Sequence, residues 1–151
     1  MKDVTIRKMR DKDILAVSSL EMASFTMPYP EKEIRYELKE NPVAELYVAV
    51  KDEEVLGYID FMITFDSATI SRIAVNDLAR RQGIGQALID KMVAVCKRQK
   101  DPVSFITLEV RPSNTAALAL YTKNEWKQVT IKKGYYDDGE DAIYMVRSIV
   151  S

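Results

Sequence analysis

The chain has 151 residues, 47% hydrophobic and 30% charged, the size and make-up of one globular domain rather than a disordered or fibrous segment. Its 22 basic and 23 acidic residues leave a net charge of −1, so no overall basic field draws nucleic acid to it. Histidine is absent and Cys96 is the sole cysteine, which excludes a Ser-His-Asp triad, a Cys-His dyad, a histidine-ligated zinc site and an internal disulfide.

Val4 to Met9 predicts a short strand, with Val4 and Ile6 alternating with polar neighbours. Asp11 is the expected N-cap of a helix that carries Ile14, Val17, Leu20 and Met22 on its apolar side and ends near Phe25. Thr26-Met27-Pro28-Tyr29-Pro30 reads as a loop, and Pro30 introduces a second helix, Glu31 to Leu38. After the break at Asn41-Pro42, strands are expected at Glu45–Lys51, Val55–Phe65 and Ile70–Val75, an antiparallel meander turning at Asp52-Glu53-Glu54. Gly83 to Arg98 predicts a helix with Ile84, Leu88, Met92, Val95 and Cys96 on one stripe. Phe105–Val110, between Pro102 and Pro112, suits a buried strand, and Ala- and Leu-rich Asn114–Tyr121 a helix. Trp126–Lys132 and Ala142–Ile149 close the chain as strands on either side of Asp137-Asp138-Gly139. The order β-α-α-β-β-β-α-β-α-β-β describes an α/β protein with a mixed sheet and one expected domain over residues 1–151. Within it, 70–110 forms a parallel strand–helix–strand unit.

Chemistry concentrates at two places. The first is Arg80-Arg81-Gln82-Gly83-Ile84-Gly85-Gln86-Ala87, between a strand and the long helix. Glycine there lets a ligand approach the backbone, the helix start offers unpaired N–H groups, and two arginines add positive charge, which together favour a phosphate or pyrophosphate. It lacks the Gly-Lys-Ser/Thr of a P-loop and the third glycine of a dinucleotide fingerprint. The second is Glu109, at the end of an apolar strand on the face of Phe105 and Thr107. It suits either an ion pair with Arg111 or a general base at a strand's C-terminal end. Asn114 is a natural N-cap.

Arg80-Arg81-Gln82-Gly83-Ile84-Gly85 resembles the acyl-CoA signature Gln/Arg-x-x-Gly-x-Gly/Ala of the GNAT acetyltransferase superfamily, whose element order matches the whole chain. The run Leu108-Glu109-Val110-Arg111-Pro112-Ser113-Asn114 through Tyr121 resembles one subgroup, the N-terminal α-amine acetyltransferases that include the ribosomal-protein alanine acetyltransferases. Met27-Pro28-Tyr29, Tyr135-Tyr136 and Glu140-Asp141-Ala142 are similar to that subgroup as well.

The resemblance implies a GNAT fold: six to seven strands, splayed in the middle, with about four helices. It implies acetyl-CoA as co-substrate, no metal, and no nucleic-acid or membrane partner. Ile73, Ala74 and Val75 on the splayed strand would hold the pantetheine, and residues 80–87 the pyrophosphate, with Asn114, Ala117 and Tyr121 also touching CoA. Glu109 would be the base and Tyr121 the acid that meets the departing thiolate. Met27, Pro28 and Tyr29 would face Tyr135 and Tyr136 across the N-terminal segment of a protein, a ribosomal protein among the candidates. Without the resemblance, Tyr121 reads as a core aromatic, and Tyr135-Tyr136 equally as a hairpin with half-buried rings.

Two segments depart from the pattern: Ser67, Ala68 and Thr69 replace acidic residues ahead of the splayed strand, and Glu125-Trp126 replaces Gly-Phe. Cys96 lies on an apolar stripe, so transfer is expected to be direct, without an acyl-enzyme. A lysine or small-amine acetyltransferase and a non-catalytic CoA-binding module are the alternatives, with an RNA-binding patch of Lys123, Lys127, Lys132 and Lys133 third. The chain begins without the apolar run of a signal peptide, and no stretch approaches a membrane span, so a cytoplasmic protein is expected.

Overall fold

Alternating apolar and polar residues build a seven-stranded sheet that runs through nearly all of residues 3–149, the part described by this computed structural model. The elements are β1 (Thr5–Lys8), α1 (Ile14–Ser24), α2 (Glu31–Lys39), β2 (Ala44–Lys51), β3 (Glu54–Thr64), β4 (Ser67–Val75), α3 (Ile84–Lys97), β5 (Phe105–Val110), α4 (Thr115–Lys123), β6 (Lys127–Lys132) and β7 (Ala142–Ser148). Short 3-10 turns at Asp11–Asp13 and Asp77–Ala79 precede α1 and the loop to α3. The element order is the expected one, and the strands lie in the order β1-β2-β3-β4-β5-β7-β6.

All neighbouring pairs are antiparallel except β4 with β5. Those two are parallel, as the 70–110 unit requires, but they pair only at Ser67↔Phe105, Ala68↔Ile106 and Thr69↔Thr107. β4 therefore starts three residues earlier than expected, and the added residues make the parallel contact. From there β4 stays with β3 to Val75, and β5 stays with β7 to Val110. The sheet opens between them, which is the expected splay.

A bulge in β4 decides which way its side chains face. Asp60 pairs with Arg72 and Phe61 with Ile70, so Ser71 has no partner on β3. Ala68 and Ile70 pack into the cluster under α3. Past the bulge Ile73 and Val75 join that cluster, while Ala74 packs into the second cluster, under α1 and α2. Arg72 turns with Ala74.

The expected stripe on α3 is borne out: Ile84, Leu88, Met92, Val95 and Cys96 are all buried. Two expectations for α1 are corrected. Met22 is 69% exposed and Glu21 is 0% exposed, because position 21 follows Ile14 by seven and Val17 by four and so shares their face. Asp11 sits inside the first 3-10 turn and pairs with Lys39 at 2.9 Å, whereas the buried Asp13 accepts from Arg10 N–H at 2.8 Å. Trp126 lies just before β6 and is buried, and Glu125 ahead of it has φ 69°, a left-handed conformation suited to glycine. None of the described helices is long and apolar enough to cross a membrane.

Candidate active site

The opening between β4 and β5 continues into a cleft of about 760 Å³. Ile73, Ala74 and Val75 form one wall, the loop to α3 the floor, and Asn114, Ala117 and Tyr121 of the α4 region the other wall. Arg80, Arg81, Gly83, Ile84, Gly85 and Gln86 line it; Gln82 and Ala87 lie on the same segment but do not. Ser24, Phe25 and Lys123 add to the lining, and no local motif in the sequence marks them.

The cradle follows from backbone geometry. Gly83 is left-handed at φ 78° and N-caps α3, and the first helical bond runs from Ala87 N–H to Gly83 O at 3.0 Å. The N–H groups of Ile84, Gly85 and Gln86 precede that bond and have no acceptor within the helix, at the positive end of its dipole. No acidic side chain occupies this first turn. Arg81 is also left-handed, at φ 67°, and Arg80 pairs with Asp77 at 3.0 Å. A Cβ on Gly85 would stand 3.0 Å from Leu120 and 3.9 Å from Val75, so its absence keeps the cleft open between α3 and α4. A narrow slot between diverging strands, ending in unpaired N–H groups and arginine, fits a thin pantetheine arm joined to a pyrophosphate.

Asn114 accepts from Ala117 N–H at 3.1 Å, so it is the N-cap of α4 as well as part of the cleft wall. Tyr121 is 4% exposed, its ring 5.5 Å from that of Trp126. Burial pushes the Tyr121 phenol well above its ordinary pKa, with a further push from Tyr136. Cys96 is fully buried and burial pushes its thiol up to about 11, so it is no nucleophile at neutral pH.

Glu109 lies outside the cleft, on the opposite face of β5. Leu108 and Val110 enter the cluster under α3, so Glu109 projects the other way. Its sequence neighbour Arg111 is not its partner: Lys132 donates to Glu109 Oε2 at 2.8 Å, and Arg111 turns to Asp138 and Glu140, each at 2.8 Å. The cross-strand geometry of β5, β7 and β6 brings Lys132 and Tyr144 to this face, with Lys132 4.6 Å from the Tyr144 ring.

From Glu109 an unbroken series of contacts reaches the expected acceptor loops. Lys132 lies 5.5 Å from the Tyr135 ring, which meets Tyr136 edge-on at 5.0 Å. The Arg111 guanidinium stacks 4.0 Å over Tyr136 and contacts Met27 Sδ at 3.6 Å. Met27, Tyr135 and Tyr136 are thus gathered around the mouth, half-buried Pro28 follows Met27 in the loop between α1 and α2, and desolvation pushes the Tyr136 phenol up to about 12. Tyr29 is the exception. Its ring packs against Arg72 and the cluster under α1 and α2, and burial pushes its phenol up to about 12. The acidic run Asp138, Glu140 and Asp141 is engaged internally: Arg111 takes the first two, and Lys133 and Gly134 N–H take the third.

Sequence reasoning missed a buried polar group beside this mouth. Arg72 reaches both oxygens of Glu21, at 3.1 and 2.8 Å, and Tyr58 also donates to Glu21. Asp60, 1% exposed, has its carboxyl pushed up to about 9 by desolvation first, then by a hydrogen bond and charge repulsion from Glu37 and by Glu21. The available signals were a charged residue at a core position of α1 and an aspartate between Ile59 and Phe61.

Residues 14–126 match the Acetyltransferase (GNAT) family. The chain is 34% identical over 160 residues to the N-alpha-acetyltransferase of Saccharolobus solfataricus, covering 98% of this chain and 95% of that one. The crystal structure of the ribosomal-protein-S18-alanine N-acetyltransferase from Escherichia coli superposes with a TM-score of 0.86 at 30% identity, over 98% of this chain and 95% of that one. Ard1 from Thermoplasma volcanium gives a TM-score of 0.90 at 29% identity, over 99% of both chains. The split sheet, its glycine cradle and these likenesses agree: the chain belongs to the GNAT acetyltransferase family.

Proposed function

We propose that the protein transfers acetyl from acetyl-CoA to the N-terminal α-amine of a protein, acting as one domain in the cytoplasm. The observation that carries this reading is that Met27 and Tyr136 meet through Arg111 over the end of the split sheet, on the face that holds Glu109. An extended peptide fits between two such loops, with its amine at the opening. The relatives named for an N-terminal alanine of a ribosomal protein make such an N-terminus the first acceptor to test.

A peptide α-amine has a pKa near 7.7–8.0, so about a tenth is neutral at pH 7, whereas a lysine near 10.4 is almost wholly charged. One carboxylate is enough for the α-amine, and Lys132 engages Oε2 of Glu109 alone. In this reading Glu109 takes the amine proton, directly or through a water, and a backbone N–H of the splayed strand near Val75 polarises the acetyl carbonyl. Tyr121 faces the departing sulfur. A phenol with a raised pKa holds its proton at neutral pH and acts chiefly by hydrogen bonding to the developing thiolate.

The test is CoA release from acetyl-CoA with short peptides that differ in their first residue, with free and with blocked N-termini. Turnover confined to free α-amines is expected. Turnover on blocked, lysine-containing peptides, or none on any amine, would overturn the assignment.

A further inference from the structure

Arg72 has no role in the reading above, yet it joins the two halves of the site. It stands immediately before Ile73-Ala74-Val75, and the bulge at Ser71 turns it away from the cleft toward α1. Its guanidinium lies between two rings of the α1–α2 loop, 3.9 Å from the Phe25 centroid and 4.2 Å from that of Tyr29. Nη2 donates to Met27 O at 2.9 Å, and Nε and Nη2 together grip Glu21. Glu21 Oε1 also accepts Tyr29 N–H at 2.8 Å, and Oε2 accepts the Tyr58 hydroxyl from β3. Phe25, Met27 and Tyr29 are thus each held to β4 through one planar cation, directly or through Glu21. Phe25 lines the CoA cleft on one side of this arrangement, and Met27 reaches Arg111 on the other.

We propose that Arg72 is a positioning residue for acetyl transfer: it fixes the acceptor loop Phe25–Tyr29 against the strand that presents the thioester. The inference rests on the α-amine reading, because it takes that loop to be one side of the acceptor site. Stacking between two rings, a bidentate carboxylate and a carbonyl demand a flat fork of donors, which lysine does not provide. Arg72 also neutralises the buried Glu21, so the separation of kinetic parameters, rather than stability, is what distinguishes positioning from a purely structural pairing.

The experiment compares wild type with Arg72→Met, Arg72→Lys, Arg72→Ala and Glu21→Gln on a peptide that wild type acetylates, measuring kcat and KM for peptide and acetyl-CoA separately. Misplacing the acceptor by about 1 Å costs on the order of a hundredfold, so the expected loss in kcat/KM for peptide is of that size, with acetyl-CoA affinity held within about twofold. Arg72→Lys is expected to behave like Arg72→Met, and millimolar methylguanidinium to restore part of the peptide turnover of Arg72→Ala. A structural role alone would lower both substrates' parameters together and give no rescue. Wild-type peptide kinetics in Arg72→Met would overturn the inference and leave the α-amine reading standing. If Arg72→Met no longer binds acetyl-CoA, Glu21→Gln decides: it keeps the volume and can still accept from Tyr29 N–H, so a peptide-specific loss supports the inference and unchanged kinetics overturn it. No α-amine turnover by wild type would overturn both readings at once.

Discussion

Glu109 and Lys132 form a half-buried ion pair, and Glu109 is the proposed base. Glu109→Gln keeps a hydrogen bond to Lys132 and removes the proposed proton acceptor. Turnover is expected to fall by roughly a hundredfold or more, the usual share of general base catalysis. Calorimetry should show acetyl-CoA affinity unchanged, since Glu109 is not part of the cleft lining. Asp60 makes a second residue-scale prediction. Its folded pKa is raised to about 9 from 3.8, so the folded state holds a proton that the unfolded state has lost between those values. Its contribution to stability is full below the lower value and disappears as pH rises through the upper one. Glu37, Glu21 and Arg72 face it, and only Arg72 opposes the shift. Asp60→Asn mimics the protonated form, so its melting temperature is expected to exceed that of wild type increasingly from pH 5 to pH 9. The gain has a ceiling of about 1.4 kcal/mol per pH unit. Parallel melting curves for the two proteins across that range would contradict the assignment.

At the scale of elements, the helix and strand periods carried most of the reading. α3 shows it best: five apolar residues at helical spacing all turn out buried. α1 shows the limit. Its buried face includes Glu21, and charge at that position hid the true stripe until the partners Arg72 and Tyr58, from strands over thirty residues away, were in place. The turn into β6 gives a prediction at this scale. Glu125 is left-handed at φ 69°, where the resemblance leads one to expect glycine. A non-glycine residue there costs about 1–2 kcal/mol, offset in part by the entropy glycine loses on folding, about 0.5–1 kcal/mol. Glu125→Gly is therefore expected to stabilise by about 0.5–1 kcal/mol, a rise of roughly 1–4 °C in melting temperature. A lower melting temperature would show that Glu125 makes a compensating interaction.

At the scale of the molecule, the site is a defect in an otherwise continuous sheet. β4 and β5 hold each other through three residue pairs and are then pulled apart by their other neighbours. Filling the opening should tie the two halves together. A ligand that binds only the folded state at a hundred times its Kd adds about 2.7 kcal/mol of stability. Acetyl-CoA is expected to raise the melting temperature by roughly 5–10 °C, and free CoA to do nearly the same, because the proposed cradle contacts are to the pyrophosphate and pantetheine common to both. No shift with either would argue against the cleft as the CoA site.

The sequence by itself determined the element order, the α/β class, the position of the cradle and the absence of histidine chemistry, because those depend on local period, glycine and composition. It also brought Glu109, Tyr121 and the two proposed acceptor segments into view through a run of residues in one stretch, 108–121, and short matches elsewhere. Only the tertiary structure decided that Glu109 pairs with Lys132 rather than Arg111, that Tyr29 turns partly into the core, and that Arg72 faces α1. Each depends on a strand register or a single bulge, and shifting a strand by one residue sends every following side chain to the other face of the sheet.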